Sequence, residues 1–254
     1  MKRRIGVLIL GLVLAASFCS AQELSVAAAA DLQFAFKDVA TRFEKDTGAH
    51  VQLVFGSSGN FTTQIQNGAP FDVFFSADED YPKKLEAAGL TLPGSLYEYA
   101  AGKIVLWIPN ESKLDLKGGL SALLDPNVKK IAIANPQHAP YGRAAVAALQ
   151  HENLYNRLAD KFVLGENISQ TASFVASGSA DAGIIALSLA LAPAMKEKGR
   201  YTVVPADDYP PIVQAAVILK SSKQSALAQK FIDYLKSPAI LQLMKTYGFT
   251  VPEK

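Results

Sequence analysis

Phe55-Gly56-Ser57-Ser58-Gly59-Asn60 joins an apolar run, residues 51–55, to a segment that reaches Gln66. The run reads as a strand, the glycines permit a tight turn, and two serines stand where a helix would begin. A helix N-terminus leaves backbone N–H groups free and carries a partial positive charge, so a serine there either caps the helix or helps hold an anion. Capping is the commoner use. The anion reading gains weight because the same arrangement recurs along the chain.

Outward from this turn, residues 24–29 suggest a strand, and Asp31 stands before Leu32, Phe36, Val39, Ala40 and Phe43, which share one helical face ending near Gly48. Residues 71–75 form a third apolar run, and Asp80-Tyr81-Pro82 opens the next helix, where proline suits the first turn. A second series follows. Strands are expected at 103–108, 131–134, 162–164 and 182–186, and helices after Pro140-Tyr141-Gly142 and from about Ser169 to Gly178. Residues 212–219 read as a strongly apolar strand, followed by helices carrying Phe231 and Leu241.

Strands alternating with helices predict an α/β fold with a mostly parallel sheet covered on both faces. With no proline-rich linker between the two series, lobes joined by chain crossings are expected, 23–101 with 212–254 as the first and 102–211 as the second. Open α/β sheets place ligands at the C-terminal ends of their strands. Four such loops carry similar chemistry: Ala30-Asp31, Ser57-Ser58, Pro140-Tyr141-Gly142 and Asn167-Ile168-Ser169. Two belong to each lobe, so a cleft between lobes could gather four helix N-termini around one small anion.

The chain opens with Lys2-Arg3-Arg4, an apolar run over 5–16 and small residues ending Cys19-Ser20-Ala21, the pattern of a secretory signal peptide cut after Ala21. About twelve apolar residues are too few to span a bilayer, which needs about 20. Phe18 is bulky where a lipidated Cys19 would need a small neighbour. Cleavage removes the single cysteine and three of the 25 basic residues, which stand against 23 acidic ones, so the mature chain is close to neutral. That balance, without Lys/Arg runs, argues against nucleic acid and anionic membranes as partners. His50, His138 and His151 are scattered and read as surface or loop residues. Arg143, just after Gly142, either reaches the cleft as a cation or lies at the surface, and its place after Gly142 favours the surface. Neither a G-x-S-x-G elbow nor a phosphate-cradling G-x-x-x-x-G-K loop is present, which leaves little support for an enzyme.

Five segments together, residues 26–32, Gly56-Ser57-Ser58-Gly59, residues 67–78 (NGAPFDVFFSAD), residues 135–142 (NPQHAPYG) and Tyr247-Gly248-Phe249, resemble the periplasmic molybdate-binding proteins of ABC uptake systems. The likeness runs through almost the whole mature chain in order. It implies a type II periplasmic-binding-protein fold, two-lobed and hinge-closing, that holds molybdate or tungstate in the interlobe cleft and delivers it to an ABC permease in the inner membrane. The implied protein is a periplasmic monomer with no cofactor and no bare metal ion. In that family, neutral hydroxyls and backbone N–H groups hold the dianion. By position, Ser58 would offer its hydroxyl and N–H, and Tyr141 and Ile168 their N–H groups, while Ala30 and Asp31 form the first loop.

That first loop departs from the family, which usually has serine, threonine or asparagine there. A carboxylate facing a dianion in a low-dielectric cleft would be repelled by several kcal/mol. Three accounts of Asp31 remain open: a helix cap turned away from the ligand, which is favoured; a protonated donor, since burial and a nearby anion both raise its pKa; and direct coordination of the metal. Ala186 stands where some members carry a tyrosine, so the Tyr141 hydroxyl either restores that donor or rests in water. The alternative function is a receptor for another oxyanion, or for a small organic solute or amine, using Asp31 and Tyr141.

Overall fold

The structure, a computed structural model of the chain, describes residues 23–251. The expected leader and its cut after Ala21 lie outside the described residues. The first series runs β1 (Glu23–Ala29), α1 (Gln33–Thr47), β2 (His50–Gly56), α2 (Ser58–Gln66), β3 (Val73–Phe75), α3 (Asp80–Ala87) and β4 (Tyr97–Gly102). The second runs β5 (Ile104–Pro109), β6 (Ile131–Ala134), α4 (Pro140–His151), α5 (Tyr155–Leu158), β7 (Phe162–Gly165), α6 (Ile168–Ala176), β8 (Ala182–Ala186), α7 (Leu187–Ala190), α8 (Pro193–Lys196) and β9 (Gly199–Val203). The chain then returns through β10 (Ile212–Ile218), α9 (Ser225–Leu235) and α10 (Pro238–Thr246).

Two five-stranded sheets result, ordered β2-β1-β3-β10-β4 and β7-β6-β8-β5-β9. The α/β architecture is as expected, but each sheet is mixed rather than mostly parallel. β1 pairs in parallel with β2 and β3, and β6 with β7 and β8, whereas β10 and β5 pair antiparallel with both of their neighbours. The antiparallel strands flank the two crossings, at Lys103 and between β9 and β10, where the chain enters each sheet from the other one.

Strand β1 lies between two partners, and its Leu24, Val26, Ala27 and Ala28 have no exposed surface, which is why it reads as an unbroken apolar run. Helix α1 lays Phe36, Val39 and Phe43 on the same sheet. There Phe36 meets Phe75 edge-on at 4.9 Å, and Phe43 meets Phe231 at 5.0 Å. Truncating Phe36 to alanine would cost about 3–5 kcal/mol. Gly48, with φ of 71°, ends α1 in the left-handed region and donates its N–H to the Glu44 carbonyl. Sequence patterning missed two strands. β4 and β9 end their sheets, β4 bridged on its outer side only at Ala101 by Thr250, and β9 (Gly-Arg-Tyr-Thr-Val) has no fully buried residue, so neither carries a strong apolar period.

Candidate functional site

The two serines of the opening turn divide the labour. Ser57 is the N-cap of α2, with extended backbone and Oγ accepting from the Asn60 N–H at 3.4 Å. Ser58 is the first helical residue, where the N–H has no partner within the helix. Its buried hydroxyl accepts from the Ala77 N–H at 2.9 Å, which fixes the oxygen and leaves the hydroxyl proton to donate. The Gly59 N–H crosses to the His138 carbonyl at 2.9 Å. A Cβ on Gly59 would lie 2.6 Å from the Tyr81 hydroxyl and 2.8 Å from that carbonyl, so only glycine allows this approach.

The second series presents two similar ends. Ala139 is the N-cap of α4 and Pro140 takes the first position, which puts Tyr141 in the first turn. Gly142 follows so close to β6 that a Cβ would sit 2.2 Å from the Ala134 carbonyl oxygen. Asn167 caps α6, accepting from the N–H groups of Ser169 and Gln170 at 3.0 Å each. The N–H of Ile168, first in that helix, is not among those it satisfies.

These ends meet around one small cavity of about 10 Å³, lined by Ala30, Asp31, Ser58, Tyr141 and Ile168 together with Ser57, Ala77 and Asn167. All five residues singled out from the sequence thus share one site, and neither lysine nor arginine lines it. A larger groove of about 820 Å³ lies elsewhere, beside Glu111, Asp125 and Asp181. No helix starts converge there, and Asp181 Oδ2 is occupied by the N–H groups of Lys129 and Lys130 at 2.8 Å each.

Asp31 does not cap its helix. The short turn of Ala30–Leu32 that leads into α1 has Ala29 at its N-cap and no side-chain cap bond. Instead the buried carboxyl turns inward, and its Oδ2 accepts from the Tyr141 hydroxyl at 2.9 Å and from Gln214 Nε2 at 2.6 Å. Long-range partners therefore displace the local cap expected from the sequence. Burial raises the Asp31 pKa to about 6, opposed by the hydrogen bonds from Gln214 and Tyr141 and by the N–H groups of Asp31 and Leu32. Asp31 Oδ1 is buried with no hydrogen-bond partner. The Tyr141 hydroxyl is not in water either: its residue is 1 % exposed, and the oxygen also accepts from Gln214 Nε2 at 3.0 Å. Burial, then the Asp31 charge, push the Tyr141 pKa well above the usual value, so the hydroxyl stays a donor.

Gln214 and Tyr99 were not singled out from the sequence. The Tyr99 hydroxyl lies 2.8 Å from Gln214 Oε1 and so orients the amide, sending Nε2 toward Asp31. Gln214 did leave a signal, as the one polar residue in the apolar run 212–219.

Further contacts join the two sheets around the cavity. Ser188 Oγ donates to the Asp31 carbonyl at 2.8 Å, Ser169 Oγ to Gln33 Oε1 at 2.5 Å, and Asn60 Nδ2 to Glu166. His138, expected at the surface or in a loop, lies in the loop before α4 and belongs to this seam, as does Arg143, expected at the surface. His138 Nδ1 is 3.0 Å from Ser57 Oγ, and the partly exposed Arg143 pairs with Asp78 and reaches the Tyr81 hydroxyl at 3.3 Å. Both are held by groups distant in sequence, which local reading could not supply. His50 and His151 are exposed. Among the described residues no group of three His, Cys, Asp or Glu could hold a metal ion.

Two α/β lobes closing on a cationless pocket of helix N-termini define the class of two-lobed solute receptors. The family of bacterial extracellular solute-binding proteins matches residues 24–250. The molybdate-binding protein ModA of Azotobacter vinelandii is 44 % identical over 96 % of each chain, and that of Rhodobacter capsulatus is 41 % identical over 95 % of this chain and 92 % of its own. The solved structure of the Azotobacter vinelandii periplasmic molybdate-binding protein superposes with a TM-score of 0.86 at 40 % identity, covering 91 % of this chain and all of that one. The chain belongs to the bacterial extracellular solute-binding proteins, in the branch of the periplasmic molybdate-binding proteins.

Proposed function

We propose that this protein captures molybdate, and tungstate with it, in the cavity between its lobes and delivers the anion to an ABC permease in the inner membrane. The observation that carries the reading is the convergence of Ser58, Tyr141 and Ile168, each in the first turn of a helix of nine residues or more, on one cavity without a cation. Helix N-termini offer oriented N–H groups and partial positive charge to an anion. Ser58 adds a hydroxyl. Hydrogen bonds to a charged group contribute about 1.5–3 kcal/mol each. Six or so offset an association cost of roughly 4–15 kcal/mol and leave a surplus.

Size then discriminates among dianions. Molybdate and tungstate are larger than sulfate, and a rigid closed cavity holds a smaller anion with stretched bonds. Tyr141 is too buried to stack on an organic solute or amine. Export through the N-terminal leader would place the receptor in the periplasm as a soluble monomer, acting as a carrier rather than an enzyme. Calorimetric titration of the mature protein with molybdate, tungstate, sulfate and phosphate tests the reading. Tight binding of the first two alone is expected, and binding of none of the four would overturn it.

A further inference from the structure

The carboxyl of Asp31 is the one group at this cavity whose chemistry opposes an anion, and its surroundings specify how the conflict is resolved. Two donors, the Tyr141 hydroxyl at 2.9 Å and Gln214 Nε2 at 2.6 Å, are committed to the same oxygen, Oδ2. The Tyr99 hydroxyl lies 2.8 Å from Gln214 Oε1 and 3.0 Å from the Ser76 carbonyl, and its donation to Oε1 is the arrangement that sends Nε2 to Asp31. In that arrangement Oδ2 accepts twice. The atom left for a proton is Oδ1, buried and without a partner, in a residue that lines the cavity.

We propose that Asp31 is a specificity-determining donor, taking one proton from solvent as the oxyanion enters and presenting it from Oδ1 to an anion oxygen. The inference rests on the oxyanion-receptor reading above and deepens it. The proton balance is simple: carboxylate, dianion and one proton enter, and a neutral acid with a bound dianion results, with net charge of minus two instead of minus three. An anion oxygen that is itself unprotonated is required, as molybdate and tungstate supply at neutral pH.

The groups facing Asp31 leave it as the proton's destination. From α4 comes Tyr141, held protonated by burial; from β4, through Gln214, comes Tyr99, whose pKa burial likewise raises. The nearby carboxylate of Asp78 is paired with Arg143. From α7 Ser188 reaches only the Asp31 backbone carbonyl. Of the other titratable groups of the seam, His138 faces Ser57 and Glu166, and Tyr81 faces Arg143, rather than Asp31. Burial has already raised the unliganded carboxyl to about 6, and a dianion placed beside it raises it further.

Molybdate titrations at pH 6 and pH 8, each in two buffers of different ionisation enthalpy, measure the protons taken up. At pH 8 about one proton per anion is expected, and affinity should fall about 50-fold between the two pH values, approaching tenfold per unit once the pH is well above the unliganded pKa. In Asp31→Asn, whose amide nitrogen replaces the protonated Oδ1, uptake should vanish and affinity should be level across that range and tighter than wild type at pH 8. Uptake that persists in the variant would assign the proton to His138 and overturn the inference. Tight wild-type binding without uptake would overturn it while leaving the receptor reading intact. No binding at either pH would overturn both. If Asp31→Asn does not fold, His138→Ala decides instead: uptake retained there supports the inference, and uptake lost there overturns it.

Discussion

Two turns of the first lobe end a strand and start a helix beside the same cavity, and they solve the problem of an incoming anion in opposite ways. At Gly56-Ser57-Ser58 the cap and the binding group are separate residues: Ser57 closes the helix, and Ser58 is left with a fixed oxygen and a free proton. At Ala29-Ala30-Asp31 no side chain caps, and the carboxyl is held from behind by Tyr141 of the other lobe and by Gln214. The first turn is built from neighbours in sequence, the second from partners 110 and 183 residues away. A local device needs only its neighbours, whereas the second depends on groups brought in from far along the chain.

That contrast can be broken at several points. The largest effect is expected on stability. A folded Asp31 pKa of about 6 against 3.8 means that the folded chain keeps a proton the unfolded chain has lost, so stability falls as pH rises through that window and stays lower above it. The penalty is on the order of 3 kcal/mol above pH 6. Unliganded Asp31→Asn should therefore melt several degrees higher than wild type at pH 7.5, with the gap closing toward pH 4, at roughly 2–4 °C per kcal/mol for a chain of this size. Equal melting at both pH values would mean that the carboxyl has no such cost.

Next in size, Gly59→Ala should wedge the lobes apart against the Tyr81 hydroxyl and the His138 carbonyl. Calorimetry should show affinity for molybdate reduced by about 100-fold, or 2.7 kcal/mol. Ser58→Ala removes one charge-assisted donor and should weaken binding by about 1.5–3 kcal/mol, with little change in melting of the unliganded protein. An unchanged affinity would take Ser58 out of the site. Tyr141→Phe removes a bond that lowers the Asp31 pKa, so the midpoint of its pH-dependent binding should move upward. Arg143→Ala cuts a partly exposed ion pair across the seam and should change affinity by less than about 1 kcal/mol, visible mainly in the dissociation rate.

The same contrast explains what the sequence disclosed. Ser57-Ser58, Pro140-Tyr141 and Asn167-Ile168 were legible because helix starts are marked by adjacent residues, and β6, fully buried, and β1, buried from Val26 onward, were legible as apolar runs. Asp31 was legible as a position and misread as a cap, because nothing nearby in sequence shows that Tyr141 and Gln214 will claim its carboxyl. The edge strand β9 carries Arg200 and an exposed Tyr201, so its pairing with β5 has no sequence period to announce it. The mixed direction of the sheets follows from where the chain crosses between lobes, a global property that local alternation of strands and helices does not encode.

If the proposed function holds, one oxyanion sits where the first turns of α2, α4 and α6 meet. Diffraction at the molybdenum absorption edge from crystals grown with molybdate would locate it. A single anomalous peak is expected inside the ring formed by Ser58, Tyr141, Ile168 and Asp31. A peak in the open groove beside Asp125 and Asp181, or none at the interlobe cavity of a molybdate-saturated protein, would contradict it.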